Sequence, residues 1–183
     1  SLPYQSFYNL LYTINKNKYK TIKLPNTTQA MYVKCNNKRC IICPITDTSK
    51  YIHGTTTNFD VTHNTHNSHC MSKGVIYMIT CNKCNIQYVG ETCRTYKKRI
   101  SEHIYNIKQK ATNTELYRHF TESNHFDSGI RVQKLDNIDN EHKNMRQAKE
   151  IFWIKLLQST YPFGLNTQIR GSGNIDRNAP ITN

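Results

Sequence analysis

Residues 74–92, GVIYMITCNKCNIQYVGET, decide how the rest of the chain is arranged. Two runs in this stretch, VIYMIT and IQYVG, are rich in β-branched and aromatic residues and predict two short antiparallel strands. Tyr77 lies in the first run and Tyr88 in the second, and Cys81 and Cys84 lie between them. The stretch therefore predicts a β-hairpin with a Cys-x2-Cys pair in its turn.

The sequence after the hairpin alternates between helical and strand-like patterns. Isoleucines recur at helical spacing in 95–108, and TELYRHFTESNHF (114–126) predicts a shorter helix with Thr114 as its N-cap. Residues 129–135 predict a third strand, and a long helix follows at about 140–158. The order β-β-α-α-β-α predicts an α+β domain, with a small three-stranded antiparallel sheet flanked by helices.

The segments outside this domain are less regular. A helix at 4–14 and a strand at 30–34 are predicted near the N-terminus, and 53–69 is typical of a low-complexity loop. The chain begins with Ser1 rather than Met, which suggests a segment of a longer protein. We expect a basic N-terminal segment of unassigned role, a cysteine- and histidine-rich linker, the α+β domain and a disordered tail, at 1–34, 35–73, 74–168 and 169–183.

The chain is strongly basic. Its 25 lysines and arginines against 12 acidic residues give a formal net charge of +13 over 183 residues. Such a charge favours a polyanionic partner, either nucleic acid or an anionic membrane surface. No run of 18 apolar residues and no basic amphipathic helix with a lipid anchor is present, so we expect no membrane association. Nucleic acid is the favoured partner, and a merely solvated basic surface is the alternative.

The cysteines indicate metal binding rather than disulfides. Seven cysteines, an odd number, occur with eight histidines, two Cys-x2-Cys pairs and no secretion signal, which favours zinc in a reducing compartment. His119 and His125 have the spacing of a zinc-binding histidine pair and would complete a site with Cys81 and Cys84. The alternative is free thiols with a surface or phosphate-contacting His119. Cys93 is left without a role.

Polar residues on two predicted helices could form a hydrolytic site. Arg99 and His103 are four residues apart and share one helix face. Glu150 directly precedes the apolar turn 151–154, where a carboxylate needs a cation or a basic partner, either of Arg146 and Lys149. A carboxylate, a divalent cation, an arginine and a tyrosine together can hydrolyse a phosphate ester.

VIYMIT followed by QYVG resembles the paired motif of the GIY-YIG endonucleases. That family continues with an arginine, a histidine four residues later, a glutamate before an FW pair and a final asparagine. The first glycine of the family name is Val75 here, with Gly74 just upstream, and that position is structural. The chain supplies the remaining motif residues in order as Tyr77, Tyr88, Gly90, Arg99, His103, Glu150 and Asn166.

The resemblance implies a role for each of these residues. Glu150 would hold one Mg²⁺ or Mn²⁺ ion, and Arg99 would bind the scissile phosphate. Tyr88 is favoured as the base, with Tyr77 hydrogen-bonded nearby, although the reverse assignment stays open. His103 would assist by phosphate contact or proton transfer. Asn166 would hold the site together, and the basic residues expected to contact DNA are Arg94, Lys97, Lys98 and Lys108.

The inserted cysteines and histidines resemble, more narrowly, the endonuclease domain of Penelope-like retroelements. GETCRTYKKRISEH and TELYRHFTESNH also resemble that subfamily, in which a cysteine-rich segment precedes the nuclease. KRCIICP and HCMSKG would correspond to that segment and imply a second zinc site, the alternative being free cysteines in a buried connector. The implied ligands are Cys35, Cys40, Cys43 and Cys70, of which Cys35 is the weakest, since His53, His63, His66 or His69 could replace one ligand.

The resemblance implies a nuclear DNA endonuclease that nicks its target and leaves a 3′-hydroxyl from which reverse transcription is primed. Its partners would be DNA, a reverse transcriptase domain of the same polyprotein and the element RNA. Two other functions stay open. One is a zinc-dependent nucleic-acid-binding module without catalysis, and the other is a GIY-YIG nuclease of a repair, homing or restriction lineage.

Overall fold

A computed structural model describes residues 22–23, 32–49, 51–54, 60–62, 68–122, 125, 129–138 and 142–167. The helix predicted at 4–14 and the tail at 169–183 lie outside these residues. Only the last part of the strand predicted at 30–34 is described, and there Tyr32 makes a single parallel bridge to Ser68. None of the described helices is long and apolar enough to cross a bilayer.

Regular structure in the described residues begins with short strands and becomes continuous from Val75 onward. The strands are β1 (Ile22–Lys23), β2 (Thr46–Asp47), β3 (Tyr51–His53), β4 (Asp60–Thr62), β5 (Val75–Cys81), β6 (Gln87–Thr92) and β7 (Ile130–Asn137). The α-helices are α1 (Tyr96–Lys108), α2 (Glu115–Glu122) and α3 (Lys143–Leu157).

The principal sheet has four strands in the order β2-β7-β5-β6. The central strand β5 pairs antiparallel with both β6 and β7, which confirms the predicted hairpin and the antiparallel core. The short strand β2, from the cysteine-rich segment, adds a parallel pairing to β7 and makes the sheet mixed. The α+β class is confirmed, and the predicted three-stranded sheet gains one strand.

A second, small sheet corrects the loop prediction for residues 53–69. Its order is β1-β4-β3, with β4 antiparallel to β3 and parallel to β1. The strand β4 lies inside the segment predicted to be a loop. The segment 53–69 is rich in threonine and asparagine, which is typical of a loop. Within it, however, the residues DVT of β4 place a β-branched apolar residue between two polar ones and pair with both neighbouring strands.

Both faces of the principal sheet are covered, which explains why every residue of β5 is buried. Alternate side chains of a strand point to opposite faces. Tyr77 and Ile79 pack with residues of α1 and α2, such as Ile100. Ile76 and Met78 pack with α3 on the other face, against the buried ring of Trp153 and its apolar neighbours.

The helix ends follow from local side-chain chemistry. Thr95 caps α1 by accepting a hydrogen bond from the amide of Lys98, at 3.3 Å. Thr114 accepts from the amide of Tyr117 at 3.3 Å, which confirms its predicted role as the N-cap of α2. These caps fix where the first turns of α1 and α2 begin, and both helices carry polar residues toward the sheet.

Candidate active site and metal centres

A hydrogen-bond network joins strand β5 to helices α1 and α2. The hydroxyl oxygen of Tyr77 lies 2.7 Å from Nε2 of His103, and Nε of Arg99 donates to the same oxygen at 3.0 Å. On the other side of the imidazole, Nδ1 lies 2.9 Å from the hydroxyl of Tyr117, which also accepts from Nδ2 of Asn106 at 3.0 Å. The predicted helix-face pair, Arg99 and His103, therefore meets the first tyrosine of the motif directly.

Gly90 provides the space that the ring of Tyr77 occupies. The two residues are directly opposite each other in the β5–β6 pairing. A Cβ at Gly90 would lie 2.6 Å from the Tyr77 hydroxyl oxygen, far inside van der Waals contact. Any larger residue would push Tyr77 away from Arg99 and His103, so the glycine is required by the network.

Burial favours the neutral forms of the histidine and the tyrosines of this site. Burial, aided by the positive charges of Arg99 and Arg94, lowers the pKa of His103 to about 3, so its imidazole is neutral. Burial raises the pKa of Tyr77 well above its usual range. The pKa of Tyr88 rises to about 12 through burial and the nearby Glu150 carboxylate, while Arg99 opposes both shifts.

Glu102 holds the guanidinium of Arg99 from the solvent side. Its carboxylate pairs with Nη1 of Arg99 at 3.2 Å and also with Arg94. Burial raises the pKa of Glu102, but the hydrogen bonds from Arg94 and Arg99 together outweigh it and hold that pKa below its usual range. One quarter of the Arg99 side chain stays exposed, so the guanidinium can still meet a phosphate.

A cleft of about 160 Å³ opens beside this network. Tyr88, Glu150 and Asn166 line it together, although they come from β6, α3 and the turn after α3. Glu150 is 8% exposed, which agrees with the prediction of a carboxylate on a buried turn. The other lining residues are Thr114, Glu115, Ile151, Ile154, Leu165 and Thr167.

Asn166 binds the backbone of β6 with its side-chain amide. Its Oδ1 accepts from the amide of Val89 at 2.9 Å, and its Nδ2 donates to the carbonyl of Val89 at 2.7 Å. Ser159 also donates to Oδ1, at 2.8 Å. The residue next to Val89 is Tyr88, so Asn166 fixes the strand position from which Tyr88 enters the cleft.

Each of the two basic residues considered as partners of Glu150 contacts an acidic residue of the principal sheet. Arg146 pairs with Glu91 at 3.0 Å, and both side chains are largely buried. Lys149 pairs with Asp136 at 3.1 Å. The carboxylate of Glu150 faces a cleft with oxygen-rich lining, and oxygen ligands suit a hard divalent cation such as Mg²⁺ or Mn²⁺.

The burial of His103 bears on its two expected roles. The ring is only 1% exposed, and both nitrogens lie within hydrogen-bond distance of tyrosine hydroxyls. Direct contact with a phosphate stays a prediction. A role in holding or passing a proton at Tyr77 is compatible with the geometry.

The four basic residues expected to contact DNA lie on or just before α1. Lys98 and Lys108 are exposed, Lys97 is half-buried, and Arg94 is exposed although it pairs with Glu102. Lys97, Lys98 and Lys108 share the helix that carries Arg99. A backbone-contacting surface beside the cleft is therefore geometrically available.

The predicted zinc ligands of the hairpin meet in space. Sγ of Cys81 lies 3.6 Å from Nδ1 of His125, and Sγ of Cys84 lies 3.5 Å from Nε2 of His119. In a tetrahedral zinc site, sulfur and nitrogen ligands lie about 3.5 Å apart. Burial and the neighbouring His125 lower the pKa of His119, which keeps it in the neutral form that binds metal. The donor set and its spacing therefore fit zinc.

The upstream cysteines form a second cluster. The ligand atoms of Cys35, Cys40, Cys43 and Cys70 all lie within 4.8 Å of one another. Burial raises the pKa of Cys40, but the amides of Cys43 and Ile42 and the thiol of Cys35 outweigh it and lower that pKa to about 6. A thiolate in a four-sulfur cluster suits zinc.

Of the four histidines considered as replacements for any one of these ligands, His69 has a described side chain, and it is not among the clustered residues. Nδ1 of His69 accepts a hydrogen bond from the amide of Met71 at 3.1 Å. His63 and His66 lie outside the described residues, as does the side chain of His53. Cys93, the leftover thiol, is exposed.

Sequence reasoning missed three residues of the network. Glu102 follows Arg99 by one helical turn, a spacing that could have identified it as the partner. Tyr117 and Asn106 carried no such signal, because a tyrosine on the buried face of a short helix is indistinguishable from an ordinary core residue. Their link to His103 depends on how α2 packs against α1.

Comparison with known proteins identifies a family match over the region of the chain that contains this site. A sequence model of the GIY-YIG catalytic domain matches residues 73–166, slightly more than half of the 183-residue chain. The match begins just before β5 and ends at Asn166. No curated protein and no solved structure matches. The chain belongs to the GIY-YIG family of nuclease domains.

Proposed function

We propose that the protein is a metal-dependent DNA endonuclease that nicks one strand and leaves a 3′-hydroxyl. The observation that carries this proposal is the shared cleft, in which Tyr88 and Glu150 lie side by side. Arg99 acts electrostatically on the same Tyr88 and is hydrogen-bonded to Tyr77. A carboxylate and a tyrosine thus line one opening in the surface, and an arginine interacts with that tyrosine.

Each residue of the site has a separate role in the proposed hydrolysis. A divalent cation held by Glu150 would offset the negative charge that develops on the phosphate. Arg99 binds a non-bridging phosphate oxygen, and Glu102 keeps its guanidinium in place. The basic surface of α1, including Lys98, holds the DNA backbone through salt-sensitive contacts.

Tyr88 is the better candidate for the base that accepts a proton from the attacking water. It lines the cleft and is partly exposed, whereas Tyr77 is fully buried. The pKa of about 12 must fall for this role, and the nearby Arg99 already acts in that direction. Tyr77 and His103 hold Arg99 and the tyrosine pair in register.

We also propose that the two cysteine-containing clusters bind structural zinc and place the protein with the Penelope-like retroelements. In that setting the nick supplies a primer to a reverse transcriptase domain of the same polyprotein, with the element RNA as template, in the nucleus. The support is the Cys2His2 group between hairpin and α2 together with the upstream four-cysteine group.

Cleavage of supercoiled plasmid tests the proposal. Wild type is compared with Glu150→Gln, which keeps the side-chain shape but removes the charge, in Mg²⁺, Mn²⁺ or Ca²⁺. Glu122→Gln is the matched control, because Glu122 is a largely exposed helix carboxylate. We expect open circles from wild type and Glu122→Gln only. Plasmid binding without nicking by any protein would instead indicate a non-catalytic zinc-dependent nucleic-acid-binding module.

A further inference from the structure

Two strongly exposed aromatic side chains lie on the turn that follows α3. Tyr161 is 66% exposed and Phe163 is 61% exposed. A single exposed apolar side chain is common on protein surfaces and needs no explanation. These two, however, directly precede the segment 165–167 that lines the cleft. Their position, rather than their exposure alone, suggests a function.

Backbone hydrogen bonds hold this turn in one conformation. The amide of Tyr161 donates to the carbonyl of Asn166, and the amide of Gly164 donates to that of Thr160, both at 2.9 Å. A Cβ at Gly164 would lie 2.2 Å from the carbonyl oxygen of Ser159, so the chain can pass there only as glycine. The two rings are therefore presented on a closed turn.

The same turn is bound to the strand that carries Tyr88. The amide of Leu165 donates to the carbonyl of Gln87 at 2.8 Å, and the side chain of Asn166 pairs with both backbone groups of Val89. Gln87 and Val89 flank Tyr88 on β6. Hydrogen bonds to the residues on both sides of Tyr88, the candidate base, thus hold the turn with the aromatic pair next to the cleft.

We propose that Tyr161 and Phe163 stack against unstacked bases of the DNA next to the cleaved phosphate, so that the enzyme prefers distorted over fully paired duplex. This inference depends on the proposed function for the position of the cleaved phosphate. A net charge of +13 brings a polyanion to the surface without regard to sequence. The faces of bases are covered by their neighbours in an intact duplex, and only an unstacked base offers its face to an aromatic ring.

DNA binding by the full chain tests this proposal. Fluorescence anisotropy in Ca²⁺ would compare a fully paired duplex with the same duplex containing a short unpaired bulge. We expect wild type to bind the bulged duplex at least about fivefold more tightly, since base–aromatic stacking contributes roughly 5- to 150-fold per base. The double variant Tyr161→Ala/Phe163→Ala should lose that preference and keep its affinity for paired duplex.

Two further variants separate stacking from damage to the fold. Tyr105→Ala removes an aromatic ring of similar exposure, 62%, from α1, away from the cleft lining, and should leave the preference intact. Tyr161→Trp/Phe163→Trp should retain it, because tryptophan also stacks. Thermal melting of all variants would show whether the turn itself has been disturbed.

The outcomes distinguish this inference from the proposed function. Plasmid nicking by wild type with equal affinity for the two duplexes would overturn the stacking proposal alone. A bulge preference that depends on the aromatic pair, in a protein that nicks nothing, would overturn the nuclease proposal and retain the stacking surface. Loss of preference in Tyr105→Ala as well would also contradict the stacking proposal.

Discussion

Nε2 of His103 lies 2.7 Å from the hydroxyl oxygen of Tyr77, and this contact links the hairpin to a buried hydrogen-bond network. On the far side of the ring, Nδ1 lies 2.9 Å from the hydroxyl of Tyr117, which accepts from Asn106. A neutral imidazole donates through one ring nitrogen and accepts through the other, so one of the two tyrosines donates to His103 and the other accepts from it. Tyr77 also accepts from Arg99.

Tyr117→Phe should weaken catalysis although Tyr117 is absent from the cleft. The substitution leaves Nδ1 of His103 without its hydroxyl partner, so the ring can change its tautomer and with it the hydrogen bond to Tyr77. We expect a loss of about 1–2 kcal/mol in unfolding free energy and a roughly tenfold slower nicking rate. Single-turnover nicking measures the rate, and nitrogen NMR of His103 reports the tautomer.

Tyr105→Phe is the control for this experiment, because Tyr105 is an exposed tyrosine of the same helix pair. Unchanged nitrogen signals of His103 in Tyr117→Phe would contradict the contact between the Tyr117 hydroxyl and Nδ1. A slow nicking rate in that case would have to be ascribed to a general loss of stability.

The two tyrosines of the hairpin should respond differently to removal of their hydroxyls. Tyr88→Phe removes the proposed base and should slow nicking by about 10²- to 10⁴-fold. Tyr77→Phe removes a hydrogen-bond acceptor for Arg99 and should have a smaller effect. Rates at saturating plasmid, measured over a range of pH, would compare the two. A larger loss in Tyr77→Phe would reverse the assignment.

His103 should make the fold sensitive to acid. Burial lowers its pKa from 6.5 to about 3. Between these two pH values, His103 binds a proton in the unfolded chain but stays neutral in the native state. Stability is therefore fully present above about pH 6.5 and falls as the pH drops toward 3, by about 1.4 kcal/mol per pH unit. Urea unfolding at pH 7 and pH 5 would measure the loss.

His103→Gln should flatten this dependence, because glutamine can occupy the site without titrating. His142→Gln, at an exposed histidine before α3, is the matched control and should retain the wild-type slope. Protonation of the histidines of the proposed zinc site acts equally in all three proteins. Equal slopes in wild type and His103→Gln would show that burial of His103 is not a source of the acid sensitivity.

Zinc content should report the two clusters separately. Atomic emission should find two zinc ions per chain, one fewer in Cys84→Ser and one fewer in Cys40→Ser. Cys93→Ser should keep both, because Cys93 is exposed and belongs to neither cluster. Since structural zinc contributes directly to folding, each loss should also lower the melting temperature.

A zinc-free wild type would contradict both sites and would remove the support for a Penelope-like origin. The nuclease proposal would then stand with a GIY-YIG enzyme of another lineage. One zinc ion lost only in Cys84→Ser would retain the hairpin site and leave the upstream cysteines as part of a buried connector.

The features of this protein that can be predicted are those determined by short stretches of its sequence. The β5–β6 hairpin follows from alternating β-branched and aromatic residues, and the capping of α2 follows from Thr114. The grouping of the hairpin thiols with the two histidines was predictable because each pair, Cys81 with Cys84 and His119 with His125, has a spacing typical of zinc ligands. Such signals need no knowledge of the tertiary fold.

The features that escaped prediction depend on contacts between distant segments. The strand β2 has two residues, and its pairing with β7 joins Thr46 to Val132, so no local periodicity reveals it. The role of Tyr117 requires α2 to pack against α1 with one ring facing His103. The sequence pattern predicts the start of α3 near residue 140, whereas the helix begins at Lys143, because no side-chain hydrogen bond caps it.

The side chain of Asn166 has a consequence for solubility. The strand β6 lies at the border of the four-stranded sheet, where unpaired backbone groups can recruit a strand from another molecule. The amide of Asn166 pairs with the N–H and the carbonyl of Val89 as a neighbouring strand would, and so closes that border over Tyr88. Asn166, which is assigned to the active site, thus also prevents edge-to-edge association of the sheet with another molecule. Its loss should therefore appear as turbidity in a concentrated sample as well as in the nicking rate.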